Sequence, residues 1–497
     1  MWRGVGKGRV PVLLVLLMVF GIVGPNVCFG ENLPTAYDLR SVEGKSFSTP
    51  VKSQNVSGQW WNNVGLCWAF ASLASFESSL LKQGIVTDDK ALEANLSPWH
   101  LGCHIGYNHP NYTFNPTILG TNPPVPVSYA LDSTLQWGWG GSVLFTVNYL
   151  SRGLGLVLES DAPLPLDVMA AQQRLTAPPL DLPSHYMLRS GLLYQRENYD
   201  SEGHFRDAIK EALMDYGAVA TGMYLGVADL PGQIGHSYWR GNYNYYCDEP
   251  EYENIVVHMV TIIGWDDARL VAEAPGAGAW LIKDSLGADF HDGGYFWISY
   301  YDTVFLKGYS YAMILVADLG TSYSGFRYQT NDGALSTPIT ASNMYETDGF
   351  NSQALDSWAC ARFVAEATQT VNAVGLIALN RDEHVTIAIY RRWDEVEQKP
   401  YDLAFSQEIL VKDPGYHVVD LHLPVTIDGG EEFVIAVGFR AQSDYRFEPL
   451  VYVINEEQPP EPGQTYRASF CPERGWSLWQ DYSEIYPNAA FYVQGIL

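Results

Sequence analysis

Between residues 67 and 84 apolar side chains recur at helical spacing. Phe70, Leu73, Ala74, Leu80 and Leu81 lie on one helical repeat, no proline intervenes, and Gly84 supplies a stop. The pattern predicts a helix that opens on Cys67. Residues 205–216 predict a second, amphipathic helix ended by Gly217, with an apolar strand over 218–224 behind it. Residues 256–263 are mostly β-branched or apolar and stop at Gly264, which predicts a buried strand, and 279–283 and 295–300 predict two more. A helical first half followed by a stranded second half is an α+β pattern with two segregated lobes.

Past residue 318 the texture changes. Short β-rich runs at 373–378, 385–390, 417–421, 432–438, 450–454 and 489–493 are separated by Gly, Pro, Asn and Asp. Such spacing with hardly any helix predicts an all-β sandwich. Residues 104–136 are rich in Asn, Pro, Thr and Gly without periodicity and read as a long surface insertion. The expected organisation is a leader over 1–30, an α+β domain over 31–318 carrying the insertion, and the sandwich over 319–497.

The leader reading rests on Arg3, Lys7 and Arg9, an apolar stretch over 10–23 broken by Gly21 and followed by Gly24 and Pro25, and small residues before a cut after Gly30. That run is short for a membrane span and fits an export signal, so a secreted, extracellular protein is expected, with no membrane span after cleavage. The net charge of −27 lacks the basic footprint a nucleic-acid partner needs and disfavours anionic lipid. Beyond the leader the cysteines are Cys67, Cys103, Cys247, Cys360 and Cys471. An odd count in an oxidising compartment suggests one thiol held back. Pairing Cys103 with Cys247 and Cys360 with Cys471 would leave Cys67 alone, though four cysteines allow three connectivities.

Cys67 is the candidate nucleophile. A thiol at a helix N-terminus meets the positive end of the macrodipole, which favours thiolate. Nucleophilic catalysis also needs a base within hydrogen-bond reach and a group to orient it. His258, set inside an apolar strand, must find polar partners and is the candidate base; most of the eleven histidines fall in polar loops. Asp284, directly after the strand predicted over 279–283, is the candidate orienter. His100, Cys103, His104 and His109 cluster in sequence, but their spacing fits no standard zinc pattern, and no metal or cofactor is expected. Asn55, Asn95 and Asn111 stand in glycan-acceptor patterns.

The order Gln54, Cys67, His258, Asp284 resembles the papain family of cysteine peptidases, and collinear segments over about residues 33–300 agree. These are the Leu33-Pro34 start, the segment 51–54 with an oxyanion-hole glutamine, the 65–70 nucleophile motif, Glu77 at an interior glutamate position, 96–101, Gly140-Gly141, 159–163, and Trp280 to Gly287 with Gly293-Gly294-Tyr295. The resemblance implies a two-lobed fold, a helical lobe facing a β-barrel-like lobe. It also implies hydrolysis of polypeptide substrates through an acyl-enzyme, with Cys67, His258, Asp284 and Gln54 catalytic and Gly140, Gly141, Ser142 and Val256 lining the substrate cleft. The C-terminal region resembles the lectin-like sandwich that follows such domains in some microbial secreted proteins, through 416–421, 463–466 and Gly475-Trp476. That implies a carbohydrate or cell-surface ligand.

Several positions depart from the family pattern. Asp284 stands where Asn is usual, and Leu286 replaces a shielding tryptophan, so a wetter site is expected. Seven extra residues, 58–64 in one placement, make Gln59 a rival oxyanion donor, and Val64 replaces the usual disulfide partner of Cys103. Leu33 follows the expected cut almost at once, so latency is expected to come from the insertion or the sandwich. Two alternatives to a peptidase remain: an inactive papain-like adhesin or binding protein, and an acyl transferase using the same triad.

Overall fold

The computed structural model describes residues 33–54, 65–91, 94–104, 113–114, 127–128, 141, 143–151, 155–164, 178–179, 182–226, 237–249, 256–307, 312–319, 327–328, 356–440, 452–454, 465–471, 475–476, 479–481, 489–491 and 493–496. The stretch expected to be an export signal, Gln59, Gly140, Ser142, Asn55, Asn111, His109 and nearly all of residues 104–136 lie outside the described residues.

The helix predicted from residue 67 runs Cys67–Lys82 and ends where Gly84 takes φ +69°, a left-handed conformation that glycine adopts without penalty. Its surroundings are more demanding than an amphipathic pattern suggests. Ser72, Ser75, Ser78, Ser79 and Glu77 are buried along with Phe70, Leu73, Leu80 and Leu81. The serine hydroxyls meet the cost of burial through backbone partners. Ser75 Oγ donates to Ala218 O at 2.7 Å, and Ser78 Oγ donates to Phe47 O at 2.6 Å while accepting from Ala218 N at 2.9 Å. The middle of the helix is thus anchored to Ala218, just ahead of the strand Val219–Leu225, and to Phe47.

Strands Tyr186–Tyr194, Ala312–Leu319, Val219–Leu225, Val256–Asp266, Ala279–Lys283, Tyr295–Ser299 and Asn244–Tyr245 follow one another across the β lobe, with Ala36–Asp38 added against Val256–Asp266. The strand expected to stop at Gly264 continues through it to Asp266. A side chain at 264 would meet Tyr37 O at 2.2 Å, so the glycine marks the close approach of Ala36–Asp38 rather than a strand end.

The C-terminal region is a two-layer β-sandwich. One layer is Lys399–Val411, Glu383–Asp394, Glu432–Phe439, Asp356–Val364, Thr465–Cys471 and Gly475–Trp476, in that order. The other is Gly415–Ile427, Gln369–Ala378, Val493–Ile496 and Arg327–Tyr328. Phe363, Leu376, Ile387, Ile389, Leu421, Phe433 and Ile435 fill the space between them. This second layer joins the β lobe: Gly415, Tyr416 and His417 pair with Leu192, Gly191 and Ser190, giving one twelve-stranded sheet. Residues Thr35–Leu497 form one compact unit.

The cysteine pairings considered from composition do not occur. Cys67, Cys103, Cys247 and Cys360 are buried thiols. Cys103 packs in the core around the Cys67–Lys82 helix, whereas Cys247 packs in the core of the β lobe, so the two sit in separate clusters. Burial pushes Cys103 and Cys360 up from the ordinary thiol value, and Cys247 up to about 12.

Candidate active site

Cys67 is the first residue of its helix, and the preceding Leu66 offers no side-chain cap. The first-turn N–H groups therefore remain oriented toward the thiol end of the helix. The strand Val256–Asp266 runs against this helix, with Thr261 Oγ1 donating to Ala71 O at 3.3 Å, and carries His258 to Cys67. The strand Ala279–Lys283 pairs next to it and delivers Asp284 from its end. His258 Nε2 donates to Asp284 Oδ1 at 2.8 Å. Oδ1 also accepts from Ser285 N at 2.7 Å.

The charges reinforce one another. Burial pushes the Cys67 thiol up, but the hydrogen bond and charge of His258 and the N–H groups of Met259 and Trp68 outweigh it, leaving the thiol below its ordinary value. Burial pulls His258 down, yet Asp284 and Cys67 overcome this and push it up to about 10. Burial raises Asp284, but the two imidazoles of His258 and His291 hold it well below the usual carboxylate range. Cys67 and His258 thus favour a thiolate beside an imidazolium.

Gln54 is held by the segment that follows Asp284. Its N–H donates to Ser285 O at 2.7 Å, and its Oε1 accepts from Ser285 Oγ at 2.7 Å, which orients the amide with Nε2 as donor. Gly141 sits against the residue after the nucleophile: a Cβ there would come within 2.4 Å of Trp68 Nε1. Val256 opens the histidine strand, with its backbone opposite Leu225. Beneath the triad Glu77 accepts from Thr49 Oγ1 at 2.6 Å, Lys52 Nζ at 2.5 Å and Leu96 N at 3.0 Å. Lys283 Nζ donates to Thr49 O at 2.7 Å, and burial lowers it to about 8.

One expectation changes. The site is not wetter for lacking a tryptophan at Leu286, because the Asp284 side chain is only 2% exposed. The covering residue is one that sequence reasoning missed. His291 Nε2 donates to Asp284 Oδ2 at 3.1 Å, and its ring packs on Trp239 and Phe296. Its Gly-rich loop looked solvated; the flanking Phe290 was the one hint of burial. The histidines near Cys103 are also engaged, His100 Nε2 with Pro179 O at 3.1 Å and His104 Nε2 with Pro178 O at 2.8 Å. Among the described residues no group of three or more His, Cys, Asp or Glu is arranged to hold a metal.

A variant of the clostridial cysteine protease Cwp84 after propeptide cleavage superposes with a TM-score of 0.66 at 19% identity, covering 93% of this chain and 98% of that one. The cysteine protease and lectin-like domains of Cwp84, a surface layer associated protein of Clostridium difficile, superpose at 0.65 and 19%, covering 94% and 89%. Residues 342–496 match the lectin-like domain family. The fold is that of a papain-like cysteine protease with a lectin-like domain. No curated protein matches the chain. Within this papain-like fold Cys67 and His258 stand on the helix and the β lobe respectively, so packing of the two lobes creates the pair. Among the described residues no helix is long and apolar enough to cross a membrane.

The shifts define a pH window. The thiolate–imidazolium pair exists above the lowered Cys67 value and below about 10. Peptide hydrolysis is expected to rise as pH passes the lowered Cys67 value and to fall as pH passes about 10, where the imidazolium beside the thiolate loses its proton. Asp284→Asn removes the anion that holds this proton and should bring the alkaline limb down, measurable as the pH dependence of kcat/KM. Stability follows the same sign: the raised His258 value contributes stability fully present below its unfolded value of about 6.5 and lost as pH rises through about 10.

Proposed function

We propose that this protein is a secreted cysteine endopeptidase acting through Cys67, His258 and Asp284. The observation that carries the reading is a helix-terminal thiol held below its ordinary value by a histidine that is itself hydrogen-bonded to a buried carboxylate at 2.8 Å. Cys67 Sγ attacks the peptide carbonyl carbon. His258 then gives its proton to the leaving amine as the acyl-enzyme forms. Next it takes a proton from water, whose oxygen attacks the thioester and regenerates the thiolate. Asp284 keeps the ring in the tautomer and orientation these transfers need. Cys67 N–H and Gln54 Nε2 receive the developing oxyanion, where loss of one donor typically costs about 3 kcal/mol of barrier.

An extended polypeptide lies along Gly140, Gly141 and Ser142, with Val256 beside the residue two before the cut; glycine is needed at 141 because a Cβ there would run into the Trp68 indole. Residues 319–497 act as the lectin-like module and hold a carbohydrate or cell-surface ligand. The protein works outside the cell, at or near a surface.

A peptidyl epoxide is expected to label Cys67 stoichiometrically between about pH 5 and pH 8, with labelling lost in Cys67→Ala. Absence of labelling across that range would instead support an inactive binding protein. Transfer of the acyl group to added amines in preference to water would make the protein an acyl transferase.

A further inference from the structure

Asp284 is shared by two imidazoles, one on each oxygen. Oδ1 faces His258 Nε2 at 2.8 Å and Oδ2 faces His291 Nε2 at 3.1 Å. A carboxylate gripped on one oxygen can still rotate about its Cβ–Cγ bond and carry the bound imidazole out of line. Donors on both oxygens fix its plane. His291 is itself held firmly. Its ring centroid lies 4.7 Å from Trp239 and 4.9 Å from Phe296, and its side chain is 16% exposed.

The backbone adds a second, independent observation. His291 takes φ +52°, a left-handed conformation, beside Gly293 at +68° and Gly294 at +90°. That region costs a non-glycine residue about 1 kcal/mol or more. Glycine would sit there without strain, so the histidine occupies this position at a cost, and its ring is the part that touches the site.

We propose that His291 is a positioning residue for the triad. By donating to Asp284 Oδ2 it fixes the carboxylate that orients His258, and its ring, packed on Trp239, covers that carboxylate where Leu286 supplies no aromatic shield. For its bearing on turnover this rests on the peptidase reading; its effect on the Cys67 thiolate does not.

The test uses the full chain and two substitutions. His291→Phe keeps an aromatic ring and removes the donor, and His291→Gln supplies an amide N–H in its place. Alkylation of Cys67 by iodoacetamide is measured at about pH 6, where an ordinary thiol is almost wholly protonated. Alongside it, kcat and KM are measured on a peptide substrate. For His291→Phe the expected result is a fall of about tenfold in alkylation rate and in kcat with KM within about twofold, and for His291→Gln recovery to within about threefold of wild type.

A folded His291→Phe that alkylates at the wild-type rate overturns the proposal, as does a His291→Gln protein that loses as much as the phenylalanine variant. If the phenylalanine variant does not fold, the glutamine variant decides: wild-type alkylation supports the proposal and a tenfold loss overturns it. Wild-type protein that alkylates rapidly yet cleaves no peptide sinks the peptidase reading alone, because alkylation is read without substrate.

Discussion

Replacing His258 with alanine is expected to lower peptide hydrolysis by about 10⁵- to 10⁶-fold, a loss comparable to removing a whole catalytic triad. Two effects combine. The leaving amine loses its proton donor, and Cys67 loses the hydrogen bond and charge that hold its thiol below the ordinary value. Burial then acts unopposed by the imidazole, so near neutral pH the sulfur is a thiol and alkylation slows as well. Asp284 keeps Ser285 N–H and His291 as partners, so the variant should fold, with stability lowered by about 3 kcal/mol for a broken buried pair. The checks are kcat/KM on a fluorogenic peptide and urea unfolding. Retention of more than about one hundredth of the activity would count against His258 as the acid and base.

Ending the chain at Asp318, the proposed last residue before the sandwich region, is expected to abolish folding rather than release a free protease. Leu193 N donates to Pro414 O at 2.8 Å, and Gly415, Tyr416 and His417 continue the sheet beside Tyr186–Tyr194. Arg189 grips both carboxylate oxygens of Asp420, at 3.0 and 2.6 Å. Gln494 Nε2 donates to Ser151 O at 2.9 Å, at the end of the helix Val143–Ser151. Ile377, Leu379, Tyr416, Val418 and Ile496 belong to the same buried core as Phe145, Val147 and Leu150.

At about 1.5–3 kcal/mol for each large apolar side chain, the loss of these five is comparable to the whole 5–15 kcal/mol by which a typical domain is stable. A milder probe is Gly415→Ala. Gly415 has φ +132°, and a Cβ there would lie 2.0 Å from Gly191 O, so the junction must open at a cost of about 1–3 kcal/mol. Circular dichroism and urea unfolding measure both. A truncated chain that unfolds cooperatively and still reacts at Cys67 would refute the coupling.

Much of the site was legible because each of its parts obeys a local rule. A nucleophilic thiol is expected at a helix start, and Cys67 is the first residue of its helix. A base inside an apolar strand must have polar partners, and His258 meets Asp284. Boundaries were less legible. The strand through Gly264 was cut short because glycine reads as punctuation until a neighbouring backbone is known to lie against it. The strand Tyr186–Tyr194 escaped notice altogether, although it links the two parts of the twelve-stranded sheet. Its alternation is blurred because it is buried on most of its length.

Periodicity and order along the chain were sufficient to determine the Cys67 helix, the His258 strand, the polar residue at the end of the next strand and the β-rich character of the C-terminal third. These follow from the 3.6- and 2-residue repeats by which a helix or strand buries one face. Three-dimensional packing alone decided that His291 reaches back to Asp284, that Cys67, Cys103, Cys247 and Cys360 stay as buried thiols, and that the sandwich shares a sheet with the β lobe. The reason is physical. Hydrogen bonds between strands run through backbone atoms common to every residue, so Gly191 beside Tyr416 leaves no mark in side-chain pattern. The bend that brings His291 over the carboxylate depends on a left-handed φ that its side chain does not announce.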